Sequence, residues 1–317
     1  MFAAEDVLAA AERLRPHVRM TPVQRSAPLE GEGCCDVHLK LENHQATGSF
    51  KLRGAFNRML LIEDARRSRG VIAASTGNHG AAVARAAREL GVPARIFVPT
   101  TADPTKLSSI TNDGASIEKV GEDCIQSEAA ARQHALDEDL VYVSPYNDRD
   151  VIAGQGSIGV ELERQLGSFD AVFVAMGGGG LIGGVGSYLK SALPSIEVCA
   201  CSPENSAVMH HSIEAGRILE LPSKPTLSDG TAGGVEPGSM TFDVCREVVD
   251  SSTLVSESEI SDAMRGLVSE QHLLVEGAAA VAVAGFLKQR ARFAGRRVVI
   301  ILCGCNVSSG VLREVLA

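Results

Sequence analysis

Lys51 departs furthest from the setting of an ordinary surface lysine. It stands in Thr47-Gly48-Ser49-Phe50-Lys51-Leu52-Arg53-Gly54-Ala55, flanked by Phe50 and Leu52 inside a turn rich in Gly, Ser and Thr. That setting predicts a partly buried amine. Burial disfavours the charged form, lowers the pKa and leaves a nucleophile. An amine of this kind forms a Schiff base with a carbonyl cofactor.

Three further segments have types and spacing suited to chemistry. Met176-Gly177-Gly178-Gly179-Gly180-Leu181 follows an apolar strand-like run and opens a helix-like one. Consecutive glycines let backbone N–H groups converge at a helix N-terminus, which suits a phosphate. Ser75-Thr76-Gly77-Asn78-His79-Gly80 follows Val71–Ala74 and opens another helix. Its hydroxyls, amide and N–H groups form a second anion site; an N-cap accounts for one hydroxyl but not for the whole run. His79 reads as structural, because Lys51 already supplies a base. Leu302-Cys303-Gly304-Cys305-Asn306 ends the last strand-like run. Gly178, Gly180 and Gly183 also match GxGxxG, so a nicotinamide-dependent oxidoreductase is an alternative of another class. The acid such a site needs about 20 residues on is missing from Val198-Cys199-Ala200-Cys201-Ser202, although Glu197 and Glu204 flank it.

The four segments occur in this order, each after a strand-like run. Together they resemble the fold-type II pyridoxal-phosphate enzymes, specifically the threonine/serine dehydratase and serine racemase group, from about Thr21 to Asn306. The resemblance implies pyridoxal 5'-phosphate held on Lys51 in a cleft between two α/β domains (a tryptophan synthase β-like architecture). It implies that Gly177, Gly178, Gly179, Gly180 and Leu181 hold the phosphate, that Asn78 bonds the cofactor's phenolic oxygen, and that Phe50 covers the ring. Ser75, Thr76, Asn78 and the backbone at His79 are expected to grip a substrate carboxylate, with Lys51, Ser75 and Thr76 the catalytic set. Cys303 is expected to meet the pyridine nitrogen. A neutral thiol there draws less charge from Cα than an acid would, which suits β-elimination of a small β-hydroxy amino acid to a keto acid and ammonia. An amino acid racemase shares every motif and is the nearer alternative.

Two departures qualify the resemblance. Relatives with a divalent-cation site carry acids at positions matched here by Ser202 and by Ala207 or Val208. Glu204 alone is a poor hard-cation site, which takes about six oxygens. No metal is therefore expected. The sequence runs only a short way past Asn306, so the C-terminal regulatory domain of biosynthetic threonine dehydratases is expected to be missing. Asp229-Gly230-Thr231-Ala232-Gly233-Gly234-Val235-Glu236 is expected to line the substrate pocket. With Ser202-Pro203-Glu204 it looks more like a dehydratase of hydroxyectoine catabolism.

The elements that must position these residues follow a βαβ rhythm punctuated by glycine. Strands are expected at 71–74, 94–98, 116–120, 141–143, 171–175, 196–200 and 298–302. Helices are expected at 78–90, 104–112, 124–137, 151–166, 181–192, 258–270 and 276–289, with an irregular segment at 216–238. The 317 residues allow roughly two domains. The resemblance divides them as a large cofactor-binding domain, 1–44 and 146–317, and a small domain, 45–145. A net charge of −9 argues against nucleic-acid binding. No apolar run nears the ~20 residues of a membrane span. The acidic start (Glu5, Asp6, Glu12) does not fit a signal peptide, so a cytoplasmic protein with reduced cysteines is expected. Cys34-Cys35, Cys199 and Cys201 read as small core residues. The resemblance implies a homodimer.

Overall fold

The computed structural model describes residues 1–31, 35–102 and 104–317. Among the described residues, ten strands form two sheets, both mixed with helices in a parallel α/β arrangement. The larger joins β1 (Val23–Arg25), β2 (Asp36–Lys40), β7 (Ala171–Ala175), β8 (Glu197–Pro203), β9 (Ser251–Val255) and β10 (Arg297–Ile301) in the order β1-β2-β10-β7-β8-β9. The smaller joins β3 (Val71–Ala74), β4 (Ala94–Val98), β5 (Ser116–Lys119) and β6 (Val141–Tyr142) in the order β5-β4-β3-β6. Neighbours run parallel except β1, which pairs antiparallel with β2.

The strand sequences follow from burial on both faces. β7 reads Ala-Val-Phe-Val-Ala and every residue is buried. A parallel strand covered by helices on both sides needs such a continuous apolar run. The helix Asn78–Leu90 follows β3 and ends at Gly91, whose φ of +66° is a left-handed cap.

Glycines let the helices between the sheets approach closely. A Cβ on Gly184, in the helix Gly180–Ala192, would lie 2.2 Å from the Ile152 carbonyl of the helix Arg149–Leu166. A Cβ on Gly154 would lie 2.7 Å from the Arg53 carbonyl of the helix Lys51–Leu60. The same region holds a buried ionic cluster. Arg53 Nε donates to Glu42 at 2.8 Å and its Nη1 to Glu161 at 2.7 Å, while Lys40 Nζ donates to Glu161 at 2.6 Å. Two cations face two carboxylates, so the cluster is neutral as a whole.

Several boundaries differ from the sequence expectation. The helix expected from 151 starts at Arg149, because the Asp148 carboxylate caps the N–H groups of Asp150 and Val151. The strand expected at 196–200 runs to Pro203, where its last residues pair with β9. The expected helix start at 276 falls at Gly277, with Glu276 at the cap position. Helices at Ala4–Leu14, Val208–Ala215 and Met240–Val248 were not anticipated. Cys199 and Cys201 are core residues of β8; Cys34 lies outside the described residues. Among the described residues, no helix is long and apolar enough to cross a membrane.

Candidate active site

Lys51 is the first residue of its helix rather than mid-turn, and it is half-buried. Its Nζ donates to the Pro145 carbonyl at 2.7 Å and lies 5.2 Å from the centre of the Phe50 ring. Burial pushes the amine down to about 8, against the upward pull of Cys303 and Glu276. The backbone brings the lysine segment to Cys303. Phe50 N donates to the Cys303 carbonyl at 3.0 Å, Cys305 N donates to Gly48 O at 2.9 Å, and Ser49 bridges Gly304. Burial, with the charge of Glu276, holds the Cys303 thiol well above its usual range, so it is a neutral S–H.

The segment Ser75 to His79 meets this group from the other sheet. Asn78 Nδ2 donates to Glu276 Oε1 at 2.8 Å and Oε2 at 3.0 Å. Asn306 Nδ2 donates to Asn78 Oδ1 at 2.6 Å, and Asn306 N donates to Glu276 Oε2 at 3.0 Å. Ser75 Oγ accepts from Gly77 N at 3.1 Å, and Thr76 is half-buried beside it. His79 is buried with Nε2 2.8 Å from the Val143 carbonyl. Burial, helped by Lys51, pushes its ring down to about 3, so the neutral ring donates to that carbonyl and serves structure.

The tetraglycine requires glycine on nearly every side. A Cβ on Gly177 would lie 2.6 Å from Thr231 O, one on Gly178 2.6 Å from the Tyr146 ring, and one on Gly179 2.7 Å from Cys245 Sγ. Gly179 adds a φ of +86°. Among the described residues, no protein acceptor takes the N–H groups of Gly178, Gly179, Gly180 or Leu181. Free donors at a helix N-terminus, a low-pKa amine and a neutral thiol are the donor set that a phosphate, an aldehyde and a pyridine nitrogen call for. Ser49 Oγ and Thr47 Oγ1 are also buried without partners here. The residues fit pyridoxal phosphate.

Two contributors went unnoticed in the sequence. Glu276 is buried at the cap of the helix Gly277–Gln289, yet its side chain makes no capping bond and faces the site instead. Burial pushes it up to about 7, with Asp229 adding and Asn78, Asn306 and Lys51 opposing. A Cβ on Gly304 would lie 2.7 Å from Glu276 Oε1, so that glycine lets the carboxylate approach. The available signal was a lone acid between Leu273-Leu274-Val275 and an Ala-rich apolar helix. Tyr146 is the other. Its ring covers Gly178, its Cα and Cβ lie against Gly180, and its hydroxyl accepts from Glu236 N at 3.0 Å. Glu236 in turn pairs with Arg132 at 2.9 Å. Of the positions matched to metal ligands in relatives, Ser202 donates to the Met176 carbonyl at 2.8 Å, Ala207 and Val208 are buried, and Glu204 is exposed.

Comparison with known proteins agrees with this geometry. The profile of the family described as "Pyridoxal-phosphate dependent enzyme" matches residues 14–304. An L-threonine ammonia-lyase of Thermotoga maritima is 37% identical over 316 residues, covering 100% of this chain and 78% of the relative. An L-threo-3-hydroxyaspartate ammonia-lyase of Saccharomyces cerevisiae is 36% identical, covering 95% of this chain and 92% of the relative. A solved maize serine racemase superposes with a TM-score of 0.92 at 32% identity, covering 98% of this chain and 95% of that one. The chain belongs to the pyridoxal-phosphate-dependent enzymes of fold type II. Within them it is of the threonine/serine dehydratase group, a pyridoxal-phosphate-dependent ammonia-lyase, which sets the nicotinamide alternative aside.

Proposed function

We propose that the protein eliminates water from a small β-hydroxy amino acid and releases a keto acid and ammonia. The observation that carries this reading is Lys51. It is a half-buried amine held down to about 8. It bonds the carbonyl of Pro145, whose neighbour Tyr146 covers the phosphate-suited glycine loop, and its charge acts on His79 beside the carboxylate-suited Ser75–Asn78 loop. When bound, the cofactor draws negative charge away from Cα. The remaining work falls to the chain. Ser75, Thr76 and the backbone at His79 hold the substrate carboxylate. Gly177 to Leu181 hold the phosphate, Asn78 bonds the cofactor hydroxyl, Phe50 covers its ring, and Cys303 faces the ring nitrogen. Lys51 accepts the Cα proton. The Cα–H and Cβ–O bonds break, water leaves, and the resulting enamine takes up water to give keto acid and ammonium.

We further propose that the small domain spans 45–145 between the two parts of the large domain, and that the protein is a cytoplasmic homodimer. Exposed Ile125 and Leu136, on the helix Cys124–Asp137, support a contact between copies.

A finer reading is a substrate derived from hydroxyectoine. A cavity of about 540 Å³ borders the site and is lined by Asp229, Glu257, Glu276 and Glu314 along with Asn306 and Ser308. Four carboxylates favour a substrate side chain that carries a cation over one with a second carboxylate. Incubation with threonine, serine, threo-3-hydroxyaspartate and an amino-bearing β-hydroxy amino acid, with ammonia and keto acid measured, tests both levels. Enantiomer interconversion with little ammonia would replace the lyase reading with the racemase one. Fastest turnover of hydroxyaspartate would remove the cationic-substrate reading alone.

A further inference from the structure

We propose that His210, His211 and Glu214 bind a divalent transition-metal ion of the zinc or nickel type, outside the cofactor cleft. All three lie on the helix Val208–Ala215, and their ligand atoms fall within 4.8 Å of one another. The Glu214 carboxylate sits between the rings. Its Oε1 is 3.4 Å from His210 Nε2 and its Oε2 3.4 Å from His211 Nδ1. The two rings are 4.9 Å apart at 80°, edge to face rather than stacked.

His210 is prepared for ligation from behind. It is buried, and its Nδ1 lies 2.7 Å from Ser252 Oγ on β9. That contact fixes the ring and leaves Nε2 toward Glu214, as outer hydrogen bonds do for metal-bound imidazoles. His211 and Glu214 are 39% and 63% exposed, so an ion can arrive from solvent and keep water in its remaining positions.

The donor set selects the ion. Two imidazoles and one carboxylate are borderline-soft ligands that suit zinc, nickel, cobalt or copper. Magnesium and calcium take six or more oxygens and would find one carboxylate. The site's ligands also differ from Ser202 and Ala207 or Val208, the positions matched to acids in cation-dependent relatives, although Val208 opens the same helix. Its occupancy would reach the glycine loop through the neighbouring residue, because a Cβ on Gly179 would lie 3.1 Å from Met209 Cε.

The test uses the holoenzyme after dialysis against a chelator. Calorimetric titration with Zn²⁺ should show one binding step in wild type that weakens at least about tenfold in both His211→Asn and Glu214→Gln. Neither excess Mg²⁺ nor Ca²⁺ should compete. Replacing zinc with Co²⁺ should give a ligand-field absorption band in wild type that both variants lose. Both side chains are on the surface, so unchanged metal-free melting will show that the variants fold. Equal zinc affinity in wild type and both variants, or no binding step at all, would overturn the site. So would effective competition by Mg²⁺.

Discussion

The amide nitrogen of Asn78 lies 2.8 and 3.0 Å from the two carboxylate oxygens of Glu276, joining a loop of the smaller sheet to a helix that packs on the larger one. The same carboxylate pulls the Lys51 amine upward, and Lys51 pulls the carboxylate down. Glu276→Gln keeps an acceptor and removes the charge. Capture of the cofactor by apoenzyme requires unprotonated Lys51, so its rate should rise with pH to a midpoint near about 8 in wild type. In the variant the midpoint should fall, because an upward influence is gone. Stopped-flow absorbance reads this directly, and an unmoved midpoint would show that Glu276 does not act on the amine. Stability should respond with a definite sign. Glu276 is raised from 4.5 to about 7 on folding, so its contribution is full below 4.5 and is lost as pH rises through about 7. Glu276→Gln apoenzyme should lack that loss.

Lys51→Ala should abolish turnover and the cofactor's visible absorption band. Removing one proton-transfer group typically costs 10²–10⁴-fold, and loss of the covalent anchor adds to this. Borohydride reduction of wild type should attach the cofactor to a peptide containing Lys51. Label on Lys40 would contradict the assignment; that amine is buried against Glu161, Gln165 and the Thr21 carbonyl.

Gly177→Ala should weaken cofactor binding more than it weakens the fold. The added methyl would sit 2.6 Å from Thr231 O and 2.8 Å from Thr231 Cα, both backbone atoms that a side-chain rotation cannot clear. Overpacking of this kind costs about 1–3 kcal/mol, or roughly 5- to 150-fold in a dissociation constant. Fluorescence titration of apoenzyme measures it, and an unchanged constant would mean the glycine loop does not carry the phosphate.

Cys303 separates elimination from racemisation. Cys303→Ser keeps a neutral partner and should keep keto acid and ammonia as the main products. Cys303→Asp places an acid where burial and Glu276 already hold a thiol above its usual range. A carboxylate would keep a proton on the ring nitrogen, stabilise charge at Cα and shift partition toward exchange at Cα. Each unit of pKa change corresponds to about 1.4 kcal/mol, up to tenfold in rate. Reaction in deuterated water, with keto acid, enantiomers and Cα deuterium measured, reads the partition. The same partition in Cys303→Asp and wild type would dissociate this position from the ring.

The parts of the site that arise from short stretches of chain were legible in the sequence. Lys51, the Ser75 to His79 loop and the tetraglycine each announce themselves by local composition next to a strand. The large sheet was legible as apolar runs such as β7, though not its order, because β2 and β10 pair across more than 250 residues. Glu276 was not legible, since its partner Asn78 is 198 residues away and nothing near it in sequence signals that pairing. Tyr146 was missed for the same reason: its role depends on Gly178 and Glu236, which only the fold brings to it. The start of the helix Arg149–Leu166 slipped by two residues because Asp148 was not read as its cap.

The bond from Lys51 Nζ to the Pro145 carbonyl has a mechanical consequence. The chain leaves the larger sheet after β2, builds the smaller sheet, and returns after β6. Lys51 lies on the outward crossing and Pro145 on the return, so this single bond ties the two crossings together at the amine. Ser75 follows β3 of the smaller sheet and Gly178 follows β7 of the larger one. Any shift of one sheet against the other would change the gap between those two loops, and it would also have to stretch or carry along the bond that joins the nucleophile to both crossings.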